Sequence, residues 1–366
     1  MANPIVQILD SEGAVQGKDE LPGLNSQRLI KLYCLMLLNR RVDERMITLH
    51  RQGRIGFYVG SIGEEASIIG SAAALQPTDW VFPCYRELGA ALLRGFSLES
   101  FCNQLFGTSK DATKGRQMPN HYAIPELFYS SISSCVGTQI PHATGVAIAA
   151  KITKSSDVAL AYFGDGATST GDFHASCNLA GSMKAPVVFL CRNNQWAISV
   201  PVQKQTAVKS LSEKAAGYGF DGVCVDGNDL LAVYRETLSA VEKARKGEGP
   251  TLIEALTYRL EGHSTSDDPR VYRSEEETLL WRTRDPLKRL RTYLIHKGLW
   301  SEKQDDKLEA DTKKRILEAI QKVEGKGQPH LKSVFSDVYD EIPWNLEEQW
   351  EELRNSKNQI PLKSKT

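Results

Sequence analysis

An α/β fold, with a mostly parallel sheet flanked by helices, is predicted by three features of the sequence. Two short, continuous apolar runs, "DVALAYF" and "APVVFLC", read as strands buried on both faces. Between them "GDFHASCNLAGSMK" has a helical period, which completes a βαβ unit. The alternation then repeats, with a helix near "SEKAAGYG", the strand "GVCVDG", the helix "DLLAVYRETLSAVEKARKG" and the strand "TLIEALTYRL". No self-similarity at a period of roughly 20 to 50 residues emerges, which excludes a solenoid.

Taken from the amino end, residues 1–25 are rich in turn formers and predict an arm. The segment "SQRLIKLYCLMLLNRRVDERMITLHRQGR" predicts one long helix, with Ser26 as its N-cap. "GEEASIIGSAAAL" predicts a second helix, and "DWVFPCYRELGAALLRGF" a short strand, a loop and a helix. Lys110 to Ser134 has little periodicity and predicts a long loop, which in a compact domain is more often functional than idle. "TQIPHATGVAIAAKI" follows as a helix of small residues. From about Glu276 the chain is charged and helical, so the α/β domain is predicted over 26–345 with a helical C-terminal part, and 346–366 as a charged tail whose final stretch, from about 355, frays.

Lys+Arg and Asp+Glu both number 45, so the formal charge is zero and neither nucleic acid nor an anionic membrane is an expected partner. The longest apolar runs, such as "ASIIGSAAAL", fall well short of the ~20 residues of a membrane span. Small molecules and other proteins remain as partners. Seven cysteines without a C-x-x-C pair, several of them inside apolar runs, predict a reducing compartment. "MANPIVQILDSEGAVQGKDELPG" has neither a secretory nor a transit pattern, so a cytoplasmic location is expected, or the mitochondrial matrix if a transit peptide has been removed.

The first βα turn, "GDGATSTGD" from Gly164 to Asp172, carries the chemistry. Glycine-rich turns at a strand end cradle phosphate through backbone N–H groups. The dinucleotide fingerprint fails here, because Ser169 stands where its third glycine belongs. A P-loop fails as well, since Gly171 is followed by Asp172 and Phe173 rather than Lys and Ser or Thr. An acid in such a turn suits a divalent cation riding on the phosphate, which requires a second oxygen ligand nearby. Asn193 and Asn194 follow "APVVFLC" at the same rim of a parallel sheet, 26 residues (167 to 192) after the GDG. Asp165, Asn194 and a backbone carbonyl can hold Mg²⁺ and leave positions open for two phosphate oxygens.

GDG followed by this spacing and NN resembles the thiamin diphosphate motif. "RQGRIGFYVGSIGEEA", "CYRELG", "KGRQMPNHY", "TQIPHATG", "CRNNQWAIS", "EALTYR", "GHSTSDDPRVYRSEEE" and "FSDVYDEIP" run in order from about residue 50 to 343. Together they are similar to the alpha-subunit family of branched-chain 2-oxo acid dehydrogenases, the decarboxylating first component of a multienzyme complex. The resemblance implies the thiamin diphosphate-binding fold and a site made residue by residue. Asp165 and Asn194 ligate Mg²⁺ by side chain and Trp196 by its carbonyl, with Gly164 and Ile198 beside them. Arg192 faces the diphosphate, and Gly166 and Ala167 give it N–H groups. Tyr85 and Arg86 contact it from the opposite loop, where Cys84 departs from the glutamine of mammalian-type members. Ser134 and the Val136 backbone meet the aminopyrimidine, and Ser133, Thr138 and Gln139 resemble a potassium site.

His263, in "GHSTSDD", resembles a histidine beside the cofactor diphosphate that serves acyl transfer as a proton donor near neutral pH. His121 lines the substrate entrance in the same comparison. Ser264 and Ser274 correspond to serines phosphorylated in mitochondrial relatives, where added charge disorders the loop, or else they are hydroxyls that cap local turns. The carboxylate that activates the aminopyrimidine comes from the beta subunit in this family. The expected assembly is two alpha plus two beta chains, serving a small 2-oxo acid and the lipoyl group of an acyltransferase core. An alpha subunit acting on pyruvate or acetoin shares fold and cofactor, but "RQMPNHY" and "STSDDP" favour branched chains. A non-catalytic cofactor-binding protein is disfavoured because Asp165 and Asn194 are both present.

Overall fold

A computed structural model describes residues 4–16 and 23–359. The chain opens with a short strand β1 (Ile5–Val6), a long helix α1 (Ser26–Arg51), α2 (Glu65–Ala73), β2 (Trp80–Phe82), α3 (Leu88–Leu93) and α4 (Leu98–Phe106). The central unit is α5 (Gln139–Thr153), β3 (Ala159–Gly164), α6 (Gly171–Met183) and β4 (Val187–Asn193), then a small hairpin of β5 (Trp196–Ala197) and β6 (Val200–Pro201). β7 (Asp221–Asp226), α7 (Leu230–Arg245) and β8 (Thr251–Leu256) complete the α/β part. Helices α8 (Glu275–Arg282), α9 (Pro286–His296), α10 (Glu302–Glu324), α11 (Ser333–Ser336) and α12 (Trp344–Gln359) follow. Among the described residues no helix is long and apolar enough to cross a membrane.

Six strands form one all-parallel sheet in the order β1-β7-β8-β4-β3-β2. Both faces are covered, as a parallel sheet requires. On one face Leu160 and Tyr162 of β3 and Val188 and Leu190 of β4 pack with Ile68 and Ala72 of α2 and Val233 and Val241 of α7. On the other, Ala161, Phe163, Val187 and Phe189 pack with Ile140, Ala143 and Ala147 of α5 and Phe173 and Cys177 of α6. The period-two alternation of the strands feeds two cores at once, each buried large side chain contributing about 1.5–3 kcal/mol.

The predicted elements from α1 to β8 are present, and four corrections apply to these elements and to the arm before them. Asn25, not Ser26, caps α1: its side chain accepts from Arg28 N at 2.9 Å. The arm is not only turns, because Ile5 and Val6 pair with β7, and Asp229 accepts the N–H groups of Ile8 and Leu9 at 2.6 Å each. Residues 1–3 and 17–22 of the arm and 360–366 of the tail lie outside the described residues. The "SEKAAGYG" segment is a 3₁₀ helix, Leu211–Tyr218, which presses so closely on β7 that a Cβ on Gly222 would lie 1.9 Å from the Ser212 carbonyl. "TLIEALTYRL" is a strand only to Leu256; beyond it the chain leaves the ladder, and Leu260 N donates to Ile62 O at 3.1 Å. Helix α4, capped by Ser97 and ended by Gly107 in the left-handed region, had no counterpart among the predicted elements.

Close backbone approach fixes α6 as well. A Cβ on Gly181 would meet the Tyr218 carbonyl oxygen at 2.2 Å, whereas one on Gly145 in α5 meets nothing within 4 Å. Gly181→Ala should therefore destabilise the protein by about 1–3 kcal/mol. Gly145→Ala should stabilise it by about 0.5–1 kcal/mol. Thermal unfolding of the two variants checks this, and equal shifts would contradict it.

Candidate active site

At the carboxyl rim of β3, β4 and β8 the protein encloses a cavity of about 360 Å³. β3 delivers its glycine in extended conformation, and Asp165–Ser169 then winds a tight 3₁₀ turn before Thr170 caps α6 by accepting from Phe173 N. Asp165 thus stands at the rim, 1% exposed, on the cavity wall. Burial lifts its carboxyl to about 6, against the hydrogen bond that Gln205 Nε2 donates to Oδ2 at 2.5 Å. Gly166 and Ala167 line the wall beside it, together with Gly164. A side chain on Gly166 would collide with the Ala197 Cβ at 2.8 Å, so only glycine leaves its backbone open to the cavity.

β4 runs parallel to β3 with Gly164 opposite Arg192. Arg192, fully buried, donates Nη1 to Glu64 and Nη2 to Glu87. Burial opposes the charge, but Glu87 and Glu64 hold the guanidinium above its ordinary range. Burial pushes Glu87 up, offset by Arg192. The two asparagines of NN divide their work. Asn193 donates to Glu254 at 2.7 Å, behind the sheet, while Asn194 faces the cavity and donates to Glu64 at 3.0 Å. Gln195 (φ 73°) and Ile198 (φ 54°) then turn the chain through left-handed conformations and bring Trp196 and Ile198 onto the wall. Their carbonyl oxygens accept from Arg259 at 3.1 and 2.8 Å.

The opposite wall comes from the loop before α3 and the segment after β8. Tyr85 stacks edge-on against His263 and lies 5.3 Å below the Arg86 guanidinium. Arg86 Nη2 donates to the His263 carbonyl at 2.7 Å and faces His263 Nδ1 at 3.2 Å. A guanidinium only donates, so Nδ1 accepts and the ring proton resides on Nε2. Burial, then Arg86 and Arg259, depress the imidazole to about 3. In the protein as described His263 is neutral, so a proton donor here is an imidazole Nε2–H. Ser134 meets the other histidine: His121 Nδ1 contacts the Pro119 carbonyl at 3.0 Å, which leaves Nε2 to accept from Ser134 Oγ at 2.5 Å. Val136, half exposed, borders the same wall.

The remaining candidates lie elsewhere. Ser133, Thr138 and Gln139 are not on the cavity wall; Gln139 Nε2 donates to the Tyr162 carbonyl at 2.7 Å, and Ser133 Oγ accepts from Cys135 N at 3.2 Å. Ser274 is exposed and N-caps α8, accepting from Glu277 N at 3.2 Å, and Ser264 Oγ accepts from Ser266 N at 3.3 Å. Cys84 is buried and pushed up to about 12, a thiol on the wall. The sequence reading passed over Glu64, Glu87, Gln205 and Arg259. The "GEEA" pair held a signal, since adjacent acids entering an apolar run need buried partners. Gln205 held none.

The donor set fits a diphosphate with a divalent cation. Three buried arginines, the Gly166 and Ala167 backbone, Asp165 and Asn194 all line this one cavity, and Arg192 Nε is buried with no protein partner. Among the described residues no three His, Cys, Asp or Glu side chains cluster as a metal site, consistent with a set that uses one carboxylate. The depressed His263 has a consequence for pH. Between about 6.5 and about 3 the unfolded chain binds a proton that folded His263 refuses, so its contribution to stability is complete above the upper limit and is lost as pH falls. The His263 ring signal in an NMR titration should keep its neutral position as pH passes through about 6.5. A midpoint there would contradict this environment.

With this geometry in place, the comparisons are specific. The dehydrogenase E1 component family matches residues 33–332. Over 359 residues (98% of this chain, 76% of the relative) the chain is 45% identical to "2-oxoisovalerate dehydrogenase subunit alpha 2, mitochondrial" of Arabidopsis thaliana. Over 351 residues (96% and 79%) it is 43% identical to "2-oxoisovalerate dehydrogenase subunit alpha, mitochondrial" of Homo sapiens. The Caenorhabditis elegans protein of the same name is 42% identical over 354 residues (96% and 82%). These relatives are named mitochondrial, which goes against the cytoplasmic expectation and agrees with the matrix alternative. The chain belongs to the dehydrogenase E1 component family, and within it is similar to the 2-oxoisovalerate dehydrogenase alpha subunits.

Proposed function

We propose that this chain is the alpha subunit of a 2-oxoisovalerate dehydrogenase of the mitochondrial matrix, acting in oxidative decarboxylation of branched-chain 2-oxo acids and reductive acylation of a lipoyl group. The observation that carries it is the gathering of Asp165, Asn194, Arg86, Arg192 and His263 on the wall of one cavity, although they come from four separate stretches of sequence. The relatives' printed names favour the branched-chain substrate over pyruvate or acetoin.

In this reading Asp165, Asn194 and the Trp196 carbonyl hold Mg²⁺. Arg86, Arg192 and Tyr85, with the Gly166 and Ala167 N–H groups and the adjoining Gly164 and Ile198, hold the diphosphate. Ser134 and the Val136 backbone meet the aminopyrimidine. Bound thiamin diphosphate supplies the electron sink into which the bonding pair is released as CO₂ leaves. His263 keeps a proton at Nε2 for the acyl-transfer step, and an anion set against Arg86 and Arg259 offsets the two cationic contributions that depress it. Asp165 is the one carboxylate among the residues lining the cavity and is committed to metal, so the activating carboxylate comes from another chain. A beta subunit, two alpha plus two beta in all, and a lipoyl-bearing acyltransferase core are the proposed partners, with neither nucleic acid nor membrane. A K⁺ at Ser133, Thr138 and Gln139, and phosphorylation of Ser264 or Ser274, belong to the same proposal. So do the limits of the cofactor domain at 26–345, between the arm and the tail.

Turnover of 3-methyl-2-oxobutanoate against pyruvate by the chain assembled with its beta partner tests the substrate; a preference for pyruvate would overturn it. Asp165→Ala should weaken thiamin diphosphate binding in the presence of Mg²⁺ by at least about tenfold, or ~1.4 kcal/mol, in calorimetric titration. His263→Ala should lower overall complex activity by about 10²–10⁴-fold, far more than decarboxylation read with an artificial electron acceptor. Parallel losses would reduce His263 to an anchor for Arg86.

A further inference from the structure

We propose that Glu64 is a positioning residue that binds the metal-ligating asparagine and the diphosphate-facing arginine into one unit, an inference that rests on the function proposed above. Its side chain is wholly buried at the entry to α2. Both oxygens are in use: Oε2 accepts from Arg192 Nη1, and Oε1 accepts from Asn194 Nδ2 at 3.0 Å, with Arg86 Nε 3.9 Å away. A carboxylate only accepts, so the nitrogen of the Asn194 amide must be the atom turned to Glu64. Oδ1 is thereby turned the other way, where it accepts weakly from Trp196 N at 3.3 Å and keeps a lone pair for a cation. Besides that weak Trp196 contact, Glu64 is what dictates, among the described residues, which end of the amide faces outward.

The backbone that carries Glu64 is itself fixed. Gly63 has φ +98°, and a Cβ there would lie 2.4 Å from the Tyr258 carbonyl. The Gly63 carbonyl accepts from Thr257 Oγ1 at 3.0 Å. Glu64 is therefore anchored to the segment that leaves β8 while its carboxylate reaches β4. Glu87 provides an internal contrast. It accepts from Arg192 and from Arg86 N at 3.0 Å, and among the described residues it hydrogen-bonds neither Asn194 nor Asp165. Both acids offset the Arg192 charge, but Glu64 alone of the two also orients a proposed metal ligand.

Glu64→Gln separates the two tasks. The glutamine has one acceptor and one donor facing two donors; its oxygen stays on the buried, charged Arg192, so its NH₂ meets Asn194 Nδ2, and the Asn194 amide turns over to pair with it and withdraws Oδ1 from its outward position. Calorimetric titration of the alpha–beta assembly with thiamin diphosphate at graded Mg²⁺ reads the result without turnover. The Mg²⁺ concentration for half-saturation should rise at least about tenfold in Glu64→Gln, while Glu87→Gln should weaken thiamin diphosphate binding with its Mg²⁺ dependence changed by less than about twofold. An unchanged Mg²⁺ dependence in Glu64→Gln, or equal changes in both variants, overturns the proposal. If circular dichroism shows that Glu64→Gln does not fold, Glu64→Asp is read by the same criterion, since its shorter carboxylate cannot span both partners. Failure of the unsubstituted assembly to bind thiamin diphosphate with Mg²⁺ would instead overturn the functional reading beneath it.

Discussion

The parallel ladder between β3 and β4 sets where everything at the site must lie. Gly164 pairs with Arg192, so the two strands end together and release Asp165 and Asn194 at one rim. Side chains alternate across the sheet, and Arg192 continues the face of Val188 and Leu190, toward the elements that supply Glu64 and Glu87. Asn193 takes the other face and is spent on Glu254 and the Gln195 backbone. A slip of one residue would exchange those faces, taking the arginine away from Glu64 and Glu87 and turning Asn193 toward the cavity. The core and the site are specified by the same register.

Charge is organised in two layers around that rim. The deeper layer pairs its charges: Arg192 lies between Glu64 and Glu87, each almost without solvent contact, with Arg192 Nε left without a protein partner at the cavity wall. Such pairs contribute little net stability, because desolvation offsets their attraction, but breaking one leaves an uncompensated buried charge and is strongly unfavourable. The layer facing the cavity is open. Among the described residues Arg259 meets only carbonyl and hydroxyl oxygens, Arg86 meets carbonyls, the His263 ring and, at 3.9 Å, a Glu64 oxygen it shares with Asn194, and Asp165 is relieved by one amide of Gln205. Their shifts share one origin, burial without a full counter-charge: the Asp165 carboxyl is raised, and the Arg259 guanidinium and His263 imidazole are lowered. An anion and a cation brought together relieve all three. Sites that bind charged cofactors carry unmatched charge of this kind before the ligand arrives.

Much of this was legible in the chain because the βαβ unit writes itself locally. Fully apolar six- and seven-residue runs, the GDG turn and NN at one helix-plus-strand distance place Asp165 and Asn194 on neighbouring strand ends without any long-range information. The opposite wall was legible only through resemblance, since Tyr85, Arg86, Ser134 and His263 come from loops whose packing has no period. Glu64 and Glu87 escaped for a different reason. A glutamate entering a helix looks like a favourable first-turn charge, and only the register of β4, more than a hundred positions away in sequence, shows that each is buried on an arginine. The errors at Ser26, at "SEKAAGYG" and at the end of β8 are boundary errors, decided by which side chain caps first and by how closely a backbone can approach.

The central claim is spatial: one metal position defined jointly by the ends of β3 and β4. An anomalous difference map of the alpha–beta assembly crystallised with Mn²⁺ and thiamin diphosphate tests it most directly. The account predicts a peak in each alpha subunit, bound by an Asp165 carboxylate oxygen, Asn194 Oδ1 and the Trp196 carbonyl, with Gln205 displaced from any Asp165 oxygen that ligates the metal. A peak bound by other residues, or cofactor in the cavity with no metal at Asp165, would contradict it.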